Sequence, residues 1–244
     1  MNNYNQELDS LFEEWEKDSE KRGLSGFCRD GLLYKGKIYF QVNNEDGKTY
    51  WGRERGNENE QWHSADRRIL FLLKDPNSNP KEDMRCWIGR QHPTTITNRF
   101  YKNIALWFYG INTIKQDGTY IPFENAYNPA EFSNFFDNFP IAIVNIKKES
   151  GGSTISDDAL LQYVGLATEE NNKYGNCFGN YLRRQIAEIL NPNIIICGGG
   201  LKRRVVLEIV QKIIFPNLNF IKFNDWVYYN VNIRRSTSFF SCRG

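Results

Sequence analysis

The stretch Ile69-Leu70-Phe71-Leu72-Leu73 is apolar at every position and is followed at once by Lys74-Asp75-Pro76-Asn77. A run this short, apolar on both faces and bounded by turn residues, fits a strand buried inside a parallel sheet. Pro76 has no N–H to give to a ladder, and Asp-Pro-Asn is turn chemistry, so the strand ends there. Asp75 is then expected at the carboxyl end of a central strand. Ligands of open α/β sheets bind in the crevice beyond such ends. A turn-forming or helix-capping acid reads the same way from sequence.

Two further apolar runs have the same character. Ile141-Ala142-Ile143-Val144-Asn145-Ile146 runs into Lys147-Lys148, and Ile194-Ile195-Ile196-Cys197 runs into Gly198-Gly199-Gly200. Helical patterns lie between them. Asn98 or Thr97 can cap a helix carrying Phe100, Ile104, Leu106, Trp107 and Phe108 that closes at Gly110. Asn128-Pro129 starts another, with Phe132, Phe135 and Phe136 on its buried side. Ser156 caps a third, with Asp157 and Asp158 in its first turn. A fourth runs from Phe178 to Leu190, and Leu201–Phe215 follows the glycines.

Strand material is expected again at Asn219–Lys222 and Trp226–Val231, with a tail from Asn232. Ahead of the first core strand, Tyr4–Arg22 has Leu8, Leu11, Phe12 and Trp15 at helical spacing. Leu32–Val42 and Tyr50-Trp51 read as a hairpin, and Gly52–Asp66 as a polar loop. A long irregular segment with Cys86, Trp87, Gly89 and His92-Pro93 follows Asn77. Alternating strands and helices predict an α/β, three-layer α/β/α fold around a mainly parallel four-stranded sheet. One domain is expected over 1–244, with 1–65 an elaboration on a 66–244 core.

Composition narrows the function classes. Five cysteines are scattered without a Cys-x-x-Cys pair, so no structural metal or cluster is expected. The acidic, amphipathic start does not resemble a secretory signal, and no apolar run reaches membrane-spanning length. A cytoplasmic protein with reduced thiols is the expectation. The net charge of +2 does not by itself point to nucleic acid, so any basic surface must come from local clusters.

Asp75, Asn145 and the glycine triplet meet at one edge of such a sheet. With these residues in that order, the chain resembles the uracil-DNA glycosylase superfamily. Leu73-Lys74-Asp75-Pro76-Asn77 occupies the place of that family's water-activating Gly-Gln-Asp-Pro-Tyr motif. Ile143-Val144-Asn145-Ile146-Lys147-Lys148 is similar to the strand whose asparagine reads the flipped base. Leu182-Arg183-Arg184-Gln185-Ile186 and Ile194–Gly200 resemble the family's later helix, strand and glycine turn. The resemblance covers Ile69 to Lys222. It departs at Asn77, which stands where uracil-specific members carry a tyrosine, and at the late His-Pro-Ser loop. There the chain has Ile233-Arg234-Arg235-Ser236-Thr237-Ser238, and its histidines are His63 and His92.

The resemblance implies a monofunctional DNA glycosylase that extrudes a modified or damaged pyrimidine and leaves an abasic site, in repair or against foreign DNA such as a phage's. Catalytic roles fall to Asp75, Asn145 and Arg235, and the base pocket to Pro76, Asn77 and Asn145. Phosphate contacts fall to Lys147, Lys148, Lys202, Arg203, Arg234, Ser236 and Ser238, with Phe239-Phe240 either a wedge or core. The expected partner is DNA, single- or double-stranded, bound by a monomer without cofactor, metal or membrane. The alternative is a non-catalytic nucleic-acid-binding module on the same fold. A small-molecule enzyme using the Gly198–Gly200 turn for phosphate ranks last, because no second glycine fingerprint or ribose-binding acid accompanies it.

Overall fold

A computed structural model describes residues 3–42, 49–76, 80–86, 95–96, 98–151, 155–167, 178–198, 205–218, 221–223, 226–228 and 238–241. The chain forms two compact units. The first comprises Met1–Leu32, Arg68–Met84 and Ala142–Gly244, and the second Leu33–Arg67 and Arg85–Ile141. The amino-terminal helix thus belongs with the central sheet, and the hairpin with the second unit.

The first unit is built on a sheet of order β1-β5-β4-β6-β9 among the described residues. These strands are β1 (Gly31–Leu32), β4 (Ile69–Leu73), β5 (Ala142–Asn145), β6 (Ile194–Cys197) and β9 (Ser238–Ser241). Four are parallel, in the register Leu72 with Val144 and Cys197, and Cys197 with Ser241. The short β1 is antiparallel to β5. The three apolar runs are β4, β5 and β6, and Ile69, Leu70, Leu72, Ala142, Val144 and Ile195 are sealed from solvent. Strands flanked on both sides cannot alternate polar and apolar residues, which is why these runs are continuous. The architecture is the expected α/β/α class with a mainly parallel sheet.

The fourth parallel strand is a correction. It is β9, in the stretch read as tail, whereas β7 (Ile221–Phe223) and β8 (Trp226–Tyr228) form a separate antiparallel pair. Phe239 and Phe240 therefore lie in the sheet, opposite Ile195 and Ile196, rather than in a loop free to wedge between bases.

Helices of this unit follow their caps. In α1 (Tyr4–Lys21), the Asn3 side chain accepts the Gln6 N–H, and Leu8, Leu11, Phe12 and Trp15 are buried. Each buried apolar side chain of that size contributes roughly 1.5–3 kcal/mol. Trp15 stacks on Tyr181 at 5.4 Å between ring centroids. Helix α6 (Asp157–Val164) starts on the Ser156 hydroxyl. Helix α7 (Gly179–Arg183) continues in wider turns through Arg184–Leu190, and α8 spans Val205–Ile214 with a similar change of pitch.

The second unit holds the hairpin β2 (Ile38–Val42) and β3 (Thr49–Arg53), with helices α2 (Glu58–Ser64), α3 (Arg99–Asn112), α4 (Phe123–Ala126) and α5 (Pro129–Asn138). Helices α3 and α5 begin on the predicted caps Asn98 and Asn128. Helix α3 runs two residues past Gly110, because the Arg67 guanidinium donates to the carbonyls of Ile111, Asn112 and Ile114 at its end. Helix α2 lies in what reads as a polar loop. It is held by Trp62, which is buried, and by Glu58, whose carboxylate accepts the N–H groups of Lys35 and Gly56. Most of the irregular segment after Asn77 lies outside the described residues.

Candidate active site at the carboxyl edge of the central sheet

The parallel ladder between β4 and β5 continues past both strands. Ile146 N–H donates to Leu73 O at 2.9 Å, Lys147 N–H to Lys74 O at 3.0 Å, and Gly151 N–H to Pro76 O at 3.4 Å. The backbone of 146–151 is thereby laid along Lys74–Pro76. Asp75 is half-buried at this edge, as its strand-end position predicts. Burial pushes its carboxyl above the usual range, opposed first by the Lys147 ammonium and then by that of Lys74. Lys74 is also paired with Asp157 of α6 at 2.7 Å. The Lys147 ammonium donates to Glu149 O at 2.9 Å.

Gly151 is needed for the approach. A Cβ there would stand 2.9 Å from Asp75 Oδ2 and 3.9 Å from Lys147 Nζ. Asp75, Lys147 and Gly151 therefore converge. A half-buried carboxylate with cations beside it is suited to orienting water or facing a cationic centre.

Asn145 and Lys148 occupy a different place from the one the resemblance implies. Asn145 is 1% exposed, Lys148 0% and their shared partner Asp30 2%. Asp30 Oδ2 accepts the Asn145 backbone N–H at 2.7 Å and its amide Nδ2 at 3.1 Å. Asp30 Oδ1 accepts from Lys148 Nζ at 2.6 Å and from Gln185 Nε2 at 2.9 Å. The Lys148 ammonium also donates to Asn145 O at 2.7 Å and lies 5.0 Å from the Trp15 ring centroid. Burial lowers its pKa, while Asp30 holds it up. A lysine so enclosed contacts no phosphate, and the Asn145 amide donates inward rather than to a base.

Next to this group, the Glu149 carboxylate accepts from Ser19 and from the Tyr163 hydroxyl. Burial drives that phenol well above its ordinary range.

Of the other expected site residues, Pro76 is buried at the edge, and Asn77, Lys202, Arg203, Arg234, Arg235 and Ser236 lie outside the described residues. Ser238 pairs with Ile194, at the end of the sheet away from Asp75. Gly198 has a packing reason, since a Cβ there would come 2.7 Å from Leu73 Cδ2. The sequence reading missed Asp30, which looks like an ordinary Asp-Gly turn acid. Gln185 stood inside a quoted motif but carried no role.

Two cavities among the described residues lie elsewhere. One of about 1070 Å³ is lined by Arg67, Asn112, Lys115 and Asp117, and one of about 420 Å³ by Gln6, Ser10, Arg184 and Glu188. No group of three His, Cys, Asp or Glu among the described residues is placed to hold a metal ion. No helix among them is long and apolar enough to cross a membrane. No model of a known protein family matches the chain, and no curated protein matches it either.

Proposed function

We propose that this protein is a DNA N-glycosylase of the uracil-DNA glycosylase type that uses Asp75 as its catalytic carboxylate. The observation that carries the reading is the convergence of Asp75, Lys147 and Gly151 just past the carboxyl end of a sealed parallel strand. Extrusion of a nucleotide costs a few kcal/mol of stacking and pairing. Once it is out, the bond between C1′ and the base nitrogen breaks, and the base leaves with the electron pair. Asp75 faces the positive charge that develops on the sugar and orients a water whose oxygen bonds to C1′. The proton that water releases passes to the carboxylate and on to the departing base. Lys147 supplies positive charge to the phosphate backbone beside the site. Asn145 is reassigned from reading the base to holding the floor of the site.

The test is abasic-site formation on oligonucleotides carrying uracil, thymine opposite guanine, hydroxymethylcytosine or glucosylated hydroxymethylcytosine. Release from at least one, lost in Asp75→Asn with binding retained, is the expected result. Release from none rejects the reading. The inward-facing Asn145 amide favours a second reading, a nucleic-acid-binding module without catalysis. That module binds the same oligonucleotides and frees no base.

A further inference from the structure

We propose that Asp30 is a positioning residue for Asp75: through Lys148 and Asn145 it fixes the turn of residues 146–151 that sets Lys147 and Gly151 against the Asp75 carboxylate. This rests on reading Asp75 as the catalytic group.

Residues 145–151 run between two anchoring segments. On one side is Leu73–Pro76, through the three backbone bonds that extend the ladder. On the other is Gly26–Asp30. Cys28 N–H donates to Lys148 O at 2.8 Å, Ser150 N–H donates to Gly26 O at 3.1 Å, and Phe27 bridges to Glu149. Asp30 ties the start of the turn at the Asn145 N–H and reaches its middle through the Lys148 ammonium. That ammonium returns to the Asn145 carbonyl and closes a ring across the turn. Glu149 is held from beneath by Ser19 and Tyr163. Lys147 thus sits between neighbours anchored on both sides, and its ammonium, which donates to Glu149 O at 2.9 Å, lies beside the Asp75 carboxylate.

Gly31, next to Asp30, has φ +128°, and a Cβ there would meet Leu8 Cδ1 at 3.2 Å. A side chain at residue 31, next to Asp30, is therefore disfavoured by the backbone conformation and by Leu8.

Stability alone does not account for the arrangement. Removing two charges from water costs several kcal/mol per ion, and apolar replacements of buried pairs are often neutral or stabilising. Four donors on one carboxylate fix a geometry instead.

The charged groups around Asp75 are Lys147 and Lys74, the latter paired with Asp157, and the titratable groups around Lys148 are Asp30, Glu149 and Cys28. The test is the titration midpoint of the Asp75 carboxyl carbon, followed by NMR without substrate and assigned with Asp75→Asn. In the charge-balanced variant Asp30→Asn/Lys148→Met, released Lys147 no longer holds the carboxyl down, and the midpoint rises by about 0.5–1 unit. Lys147→Met alone produces the same rise, and adding it to the double variant produces no more. An unchanged or lower midpoint in the folded double variant, or additive shifts, overturns the proposal. If the double variant does not fold, Gln185→Met, which removes one donor to Asp30, gives a smaller rise, and no rise there overturns it. Wild-type protein that frees no base while the midpoint rises sinks the glycosylase reading and leaves the role of Asp30 in place.

Discussion

The Asp30 carboxylate and the Lys148 ammonium come from positions 118 residues apart and meet at 2.6 Å, with neither side chain more than 2% open to solvent. Such a pair is fragile to one-sided change. Lys148→Met leaves Asp30 charged, buried and without its cation, and costs about 3–5 kcal/mol. Asp30→Asn/Lys148→Met removes both charges and costs less than the lysine change alone. Urea unfolding of the two variants measures the difference, and a double variant as unstable as Lys148→Met contradicts it.

Asp75→Asn trades activity for stability. Turnover falls by about 10²–10⁴, the range for a lost acid–base group, with oligonucleotide binding retained. The folded state raises the Asp75 carboxyl above its unfolded value, so the folded protein holds the proton more tightly. Stability from this group is fully present below the unfolded pKa of about 3.9 and is lost as pH rises through the folded pKa. The Asn variant lacks that loss. It melts above the wild type at neutral pH, and the two curves converge below about pH 4. Thermal melts across that range check both halves.

Gly151→Ala places a methyl group 2.9 Å from Asp75 Oδ2, inside contact distance. The carboxylate, at the end of a rotatable side chain, moves to make room. A displacement of about 1 Å at a reacting group lowers turnover by about 10²-fold. Single-turnover rates fall while the dissociation constant for the oligonucleotide holds. An equal loss in both shows that the glycine matters for binding instead.

Arg67 is a helix stop supplied from outside the helix. Its guanidinium donates to Ile111 O at 2.5 Å and Asn112 O at 2.9 Å, and also to Ile114 O. Arg67→Ala leaves those carbonyls without a protein donor at the negative end of α3 and costs about 1–2 kcal/mol. Arg67→Lys keeps the charge and loses the fork, so it falls between the two. Denaturant midpoints rank the three proteins.

What the sequence reveals here depends on whether a residue's partners are local. Strands β4, β5 and β6 are readable because burial on both faces leaves no polar position. Helices α3, α5 and α6 are readable because Asn98, Asn128 and Ser156 bond to N–H groups two or three residues ahead. Asp75 is readable because an acid and a proline end an apolar run. Helix α2 is not, because one buried tryptophan makes no stripe and nothing local marks Glu58 as buried. Strand β9 is not, because Ser-Phe-Phe-Ser acquires its meaning from pairing with β6. Lys148 follows another lysine and reads as solvated charge. Its charged partner is Asp30, more than a hundred residues earlier.

That separation matters while the chain is being made. At about 5–20 residues per second, the 118 residues between Asp30 and Lys148 take about 6–24 s to emerge from the ribosome. Glu149, the partner of Ser19, lies 130 residues downstream, and Arg184, the partner of Glu14, lies 170 downstream. For that interval Leu8, Leu11, Phe12 and Trp15 have no sheet to cover them. The apolar face of the first helix therefore waits for residues 184–190, against which it packs, until most of the chain has been made.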